Sequence, residues 1–137
     1  MHTFIQLLLV EDNEVDTWLT QDTLRESRAP VRVHIVADGK EALDFLRKNA
    51  PFEQAPTPDV LLLDLNMPVM TGIELLQFLK SSESFKRIPV VVLSTSSHPK
   101  DVQAAQQFEA AAYLTKPLSV DQILPILEDL GLLKPEN

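Results

Sequence analysis

Cysteine is absent from the 137-residue chain, which excludes disulfides, thiolate metal sites and cysteine nucleophiles. Glycine is scarce, with Gly39, Gly72 and Gly131 the only three. A GxGxxG dinucleotide loop and a Walker loop are both missing, so a nucleotide-binding reading loses its main support. Positive charge is in deficit: 12 Lys and Arg stand against 20 Asp and Glu, for a formal net charge of −8. That balance argues against DNA or RNA as a partner, since a nucleic-acid surface is basic. No apolar run approaches the roughly 18 residues of a membrane span, and Met1–Val10 lacks the basic n-region of a signal peptide. The expectation is a soluble, cytoplasmic protein without membrane contact.

What is present is ordinary for a folded chain, 45% hydrophobic and 23% charged, with no low-complexity tract, repeat or linker. Domains usually run to about 100–150 residues, so a single domain over residues 1–137 is expected. Apolar runs rich in β-branched residues recur at Ile5–Val10, Val31–Ala37, Asp59–Leu63, Pro89–Leu93 and Ala112–Thr115. Those at Val60–Leu63 and Val90–Leu93 are continuous rather than alternating, the mark of strands covered on both faces of a parallel sheet. Between the runs lie helix-length amphipathic stretches. Ala42, Leu43 and Leu46 share one face, Ile73, Leu76 and Leu79 another, and Val120, Ile123, Leu124, Leu127 and Leu130 form a stripe. In Asn13–Arg28 the pattern is less tidy, with Leu19 and Leu24 expected to point inward and Trp18 to pack partly buried. Asn49–Pro58 carries three prolines and reads as an extended surface loop. Five strands alternating with five helices give an α/β fold, a doubly wound parallel sheet with helices on both faces.

In open α/β sheets functional residues gather beyond the carboxyl ends of the strands. Glu11 and Asp12 follow the first run, Asp64 the third, Ser94 and Thr95 the fourth, and Lys116 and Pro117 the fifth. Singly, each has a plainer reading: a carboxylate after a strand is more often a helix cap, and a Ser-Thr pair usually bonds the local backbone. Their coincidence on four strands points to one site. Carboxylates about 4–5 Å apart repel by roughly 3–4 kcal/mol per pair at an effective dielectric near 20. Such a cluster requires a cation, a shared proton or intervening water. Hard oxygen donors suit Mg²⁺, which keeps several waters and often bridges to phosphate. With an ammonium and a hydroxyl beside it, the site is built to hold a phosphoryl group, Asp64 being the nucleophile.

The runs Leu8-Leu9-Val10-Glu11-Asp12-Asn13, Leu63-Asp64-Leu65-Asn66-Met67-Pro68 with Gly72, and Tyr113-Leu114-Thr115-Lys116-Pro117 resemble the receiver domain of two-component response regulators. Val36-Ala37-Asp38-Gly39-Lys40-Glu41-Ala42-Leu43 matches that family too, and the likeness covers about residues 4–132. The long loop before the third strand resembles small receivers paired with cyanobacterial and bacterial phytochromes. The resemblance implies a flavodoxin-like sheet of order 2-1-3-4-5, no output domain, and a sensor histidine kinase, of phytochrome type, as partner. By position, Asp64 is the implied phosphoacceptor. Glu11, Asp12, Asp64 and the Asn66 carbonyl are the implied Mg²⁺ site, Glu11 acting through a water. Ser94 and Lys116 are the implied phosphoryl contacts, with a cis Lys116–Pro117 bond. Ser94 and Tyr113 are the implied switch pair, acting on a surface formed by the fourth helix, fifth strand and last helix. That surface is expected to meet a partner protein or a second copy of the chain. Asn66 and Ser96 line the implied path of the hydrolytic water, and neither is a strong base, so slow dephosphorylation is expected.

The sequence departs from the family pattern at Ser94, where threonine is commoner, at Glu109, where glycine often stands, and at Pro125 inside the last helix. If Glu109 keeps a positive φ, local strain is expected there. His2, His34 and His98 have no metal-ligand spacing. Val69 and Met70 flank the acceptor and read either as loop hydrophobes or as a kinase contact, and Trp18 has the same sharper reading. Two other functions compete. A phosphohydrolase with an aspartyl intermediate is disfavoured because Asn66 stands where haloacid-dehalogenase-like enzymes carry their second Asp. A receiver used only for docking would usually have lost one of the acidic residues or the lysine, and all are present.

Overall fold

The computed structural model describes residues 4–65, 71–95 and 98–134. Its strands are β1 (Ile5–Val10), β2 (Val31–Val36), β3 (Val60–Asp64), β4 (Val90–Ser94) and β5 (Ala112–Thr115). They form one parallel sheet in the order β2-β1-β3-β4-β5. The helices are α1 (Glu14–Glu26), α2 (Gly39–Arg47), α3 (Gly72–Ser81), α4 (Pro99–Gln107) and α5 (Val120–Asp129). The expected doubly wound α/β architecture is present, with strand bounds within a residue of those read from the sequence.

Every residue of β3 and β4 is buried, because successive side chains feed two separate cores. Leu8, Val10, Leu61, Leu63, Val90 and Val92 pack with Ala42, Leu43, Leu46, Leu75, Leu76 and Leu79 from α2 and α3. The alternate residues Leu7, Leu9, Val60, Leu62, Val91 and Leu93 pack with Leu24 of α1 and Ile123 and Leu127 of α5. Fully burying one such aliphatic side chain stabilises by about 1.5–3 kcal/mol, so the central strands anchor the edge where the acidic residues stand.

The first helix corrects the sequence reading. Thr20 and Leu24, one turn apart, face the sheet, whereas Leu19 is 41% exposed and Trp18 59% exposed. A helix turns about 100° per residue, so taking Thr20 rather than Leu19 inward swings Trp18 and Leu19 outward. Thr20 is 4% exposed, its methyl packing as an aliphatic group does. One turn along, Thr23 Oγ1 donates to the Leu118 carbonyl at 3.1 Å.

Glycine is needed at one point beside the acidic edge. A Cβ on Gly72 would overlap the Asp64 carbonyl oxygen and lie 2.6 Å from Leu65 Cα, so α3 starts hard against the end of β3. Glu109 keeps a left-handed φ of 60° just past α4. There its N–H donates to the Gln106 carbonyl and the Ala110 N–H to the Ala105 carbonyl, the paired bonds of a Schellman stop. Pro125 is accommodated on the exposed side of α5, which runs unbroken through it.

Candidate functional site

Glu11 and Asp12 leave β1 at its carboxyl end, and Asn13 then caps α1 by accepting the Asp16 N–H on its side chain at 2.9 Å. This tight strand-to-helix passage points the first turn of α1 at the ends of β3 and β5. Asp64 is the last residue of β3 and is 6% exposed; Ser94 is the last of β4 and fully buried. Lys116 follows β5, with its backbone N–H donating to the Ser94 carbonyl at 2.7 Å. The Lys116–Pro117 peptide bond is cis, as the sequence resemblance implied.

One carboxylate oxygen from each of Glu11, Asp12 and Asp64 lies within 4.8 Å of the others. Among these only Asp12 is exposed. The Lys116 ammonium sits beside them, 2.7 Å from Glu11 Oε1, 2.9 Å from Asp16 Oδ2 and 3.7 Å from Asp64 Oδ2. Glu11 Oε2 accepts the Asn13 N–H at 3.3 Å. Its Oε1 is buried and faces the Lys116 ammonium at 2.7 Å, a charge-assisted contact closed off from water.

Burial pushes the Glu11 carboxyl up to about 7, and Asp64 adds to the rise while Lys116 opposes it. The Lys116 ammonium is itself held above its ordinary range. Burial alone would lower it, but the hydrogen-bonded carboxylates of Glu11 and Asp16, with the charge of Asp64, outweigh that penalty. Among the described residues the site therefore holds an excess of negative charge with one fixed cation. Asp12, Asn13, Asp16, Asp64, Thr95 and Lys116 line a single cleft open to solvent, wide enough for a small oxyanion to reach Asp64.

A family model described as the response regulator receiver domain matches residues 7–128. The response regulator Rcp1 of Synechocystis sp. is 37% identical over 124 residues, which cover 90% of this chain and 84% of Rcp1. The chain belongs to the response regulator receiver domain family. Among solved receivers, the phosphorylated cyanobacterial phytochrome response regulator RcpA is similar at a TM-score of 0.79 and 39% identity, over 94% of this chain and 92% of that one. The Mn²⁺-bound form of Rcp1 is similar at a TM-score of 0.79 and 36% identity, over 96% of each chain. This receiver is thus a response regulator of the two-component class, with the flavodoxin-like sheet of its family.

The receiver fold brings together Glu11, Asp12, Asp64, Ser94 and Lys116, which the sequence had placed on four separate strands. Tyr113 lies half-buried on β5, opposite Val92 of β4, and packs against the core shared with α2, α3 and α4. Asn66 and Ser96, together with Val69, Met70 and His2, lie outside the described residues. His98 caps α4, its Nδ1 accepting the Lys100 N–H at 3.1 Å, and His34 Nε2 pairs with Gln6 Oε1 at 2.8 Å. Both are structural roles. Sequence reasoning missed Asp16, which meets Lys116 across 100 residues of chain. The available signal was its place: Asp16 is three residues after the Asn13 cap, in the first turn of the helix that follows the acidic pair.

Proposed function

We propose that Asp64 accepts a phosphoryl group from a phosphohistidine of a sensor kinase in a Mg²⁺-dependent reaction. The modified protein then alters its α4–β5–α5 surface to signal to a partner protein or a second copy of itself. The observation that carries this reading is the close set of Glu11, Asp12 and Asp64 oxygens, within 4.8 Å of one another, beside one ammonium. Hard oxygens of this kind, clustered on three carboxylates of which two are buried, fit a small divalent cation, and the Glu11 carboxylate would hold one of its waters. Asp12, Asp64 and the main-chain carbonyl of Asn66 would hold the ion; when bound, it supplies charge neutralisation at the phosphoryl oxygens. The Mn²⁺-bound form of the similar Rcp1 supports an ion of this class.

In the transfer, an Asp64 carboxylate oxygen bonds to phosphorus as the donor's N–P bond breaks and the imidazole nitrogen keeps the electron pair. Ser94 donates its hydroxyl hydrogen to one phosphoryl oxygen and the Lys116 ammonium pairs with another. Phosphorylation adds roughly −1.5 to −2 charges at pH 7. When Ser94 follows that charge it leaves space beside β4, and Tyr113 on β5 is the large neighbouring side chain able to fill it. That movement biases two packings of the α4–β5–α5 face.

The kinase reading draws support from α1, where Val15, Trp18 and Leu19 are 66%, 59% and 41% exposed next to the acceptor cleft. Large apolar side chains at i, i+3 and i+4 suit the helices of a phosphotransfer domain. Similarity to RcpA favours a kinase of the phytochrome type, and in this reading the two meet in the cytoplasm. Beyond its own phosphorylation and dephosphorylation the protein catalyses nothing in this reading.

Acetyl phosphate with Mg²⁺ is expected to add one stable phosphoryl group, mapped to Asp64 by mass spectrometry and absent from Asp64→Asn. Labelling that proceeds in EDTA overturns the metal requirement, and repeated turnover of the donor without stable label favours a phosphohydrolase instead.

A further inference from the structure

Lys116 has been given one duty, to meet the phosphoryl group, yet its ammonium rests closer to two other carboxylates than to the acceptor. Asp64 Oδ2 is 3.7 Å away, beyond hydrogen-bond reach, while Glu11 Oε1 is at 2.7 Å and Asp16 Oδ2 at 2.9 Å. The two near carboxylates differ in kind. Glu11 is buried to 1% side-chain exposure, so water cannot replace the lysine there. Asp16 is 31% exposed, on the solvent side of the same ammonium. If Lys116 departs, Asp16 can be hydrated at little cost, whereas Glu11 is left with an unpaired buried charge.

We propose that Asp16 is a positioning residue for Lys116, holding the ammonium on the α1 side of the cleft and setting how readily it passes to an anion on Asp64. The proposal rests on the reading of Asp64 as phosphoacceptor. Asp16 is well fixed for the role, since its own N–H is tied to the Asn13 side chain at 2.9 Å in the first turn of α1. It also lines the same cleft as Asp64, so its charge faces the incoming anion as well as the lysine. Both effects have one sign. Removing the Asp16 charge releases Lys116 and lessens repulsion of an oxyanion. Asp16 thus acts as a brake that keeps the unphosphorylated state from taking the phosphorylated arrangement.

The test is a beryllofluoride titration at saturating Mg²⁺ of the wild type, Asp16→Asn and Asp16→Glu, followed by NMR at the Lys116 side-chain nitrogen and the Ser94 amide. Asp16→Asn keeps the size of the side chain and leaves the Asn13 cap in place, so folding is not at issue. Its half-saturation concentration is expected to fall three- to ten-fold. Its Lys116 nitrogen signal should differ from wild type before beryllofluoride and coincide with it afterwards, while Asp16→Glu returns both readouts towards wild type. A merely structural ion pair would lower the melting temperature and leave half-saturation within twofold, or raise it, and either result overturns the proposal. Wild-type protein that takes no beryllofluoride at all overturns the phosphoacceptor reading together with this one. Wild-type binding that Asp16→Asn leaves unchanged overturns the brake alone.

Discussion

Replacing Asp12 by asparagine is expected to make the metal-free protein more stable, though it removes a residue from the site. Its carboxylate lies within 4.8 Å of those of Glu11 and Asp64, while the ion pairs of Lys116 run to Glu11, Asp16 and Asp64. At that separation each like-charge pair costs about 0.9 kcal/mol in bulk water and about 3.5 kcal/mol at an effective dielectric of 20. Asp12 is exposed, which places it towards the lower figure, and Glu11 is only partly ionised at neutral pH. The two pairs together then cost about 1–2 kcal/mol. Unfolding entropy near 2.1 cal/mol/K per residue, over 137 residues, converts this to a rise in Tm of about 4–7 °C. The assay is thermal unfolding by circular dichroism in EDTA at low salt, repeated with Mg²⁺. Ligand bound at ten times its Kd stabilises by about 1.4 kcal/mol, so the wild type should gain in Mg²⁺ while Asp12→Asn gains little, and the difference should close. Added salt without divalent ion should shrink the difference too. A variant no more stable than wild type in EDTA would refute the view that these carboxylates repel one another in the folded protein.

The Glu11 carboxyl, raised from 4.5 to about 7 in the folded protein, makes stability fall as pH rises through that window, because the native state binds the extra proton. Chemical denaturation of wild type and Glu11→Gln between pH 4.5 and 7.5 should diverge by about 2–3 kcal/mol, and parallel curves would contradict the shift. Gly72→Ala forces α3 away from the Asp64 carbonyl and should cost about 1–3 kcal/mol by denaturant midpoint; a neutral result would mean that the helix start can slide. Glu109→Gly relieves a left-handed backbone and should stabilise by about 1 kcal/mol, visible as a higher midpoint in urea.

The sheet was legible because β3 and β4 are covered on both faces, and that leaves continuous apolar runs that no half-exposed strand would carry. Chain order then brought Glu11, Asp12, Asp64, Ser94 and Lys116 to one edge before any distance was known. The orientation of α1 was not legible, since Leu19 is the more apolar of two neighbours and hydrophobicity alone sends it inward. What decided the matter is that Thr20 stands one turn before Leu24 and both lie over the sheet. The bond from Asp16 to Lys116 was hidden for a different reason. It joins the first turn of α1 to the end of β5, and only the depth to which Lys116 reaches into the cleft shows which carboxylates it meets. The elevated Glu11 carboxyl belongs to the same class, as sequence gives the residue but not its burial.

These hidden features share a physical origin in the charge balance of the cleft. Among the described residues, Glu11, Asp16 and Asp64 surround one ammonium while Asp12 lies beside Glu11 and Asp64, so the arrangement is under electrostatic tension when no other cation is present. The tension is relieved in part by the proton that burial helps Glu11 retain and in part by the exposure of Asp12 and Asp16 to water. Both forms of relief are reversible. A divalent ion would displace the proton, and on the proposed mechanism a phosphoryl group would draw the lysine away from Asp16. The cleft could have been made more stable by neutralising Asp12 or Glu11, yet either change would remove a step in that exchange. Electrostatic tension at this edge, set on two strands that are wholly buried, would on the proposed mechanism let a small charge at Asp64 rearrange the surface without unfolding the sheet.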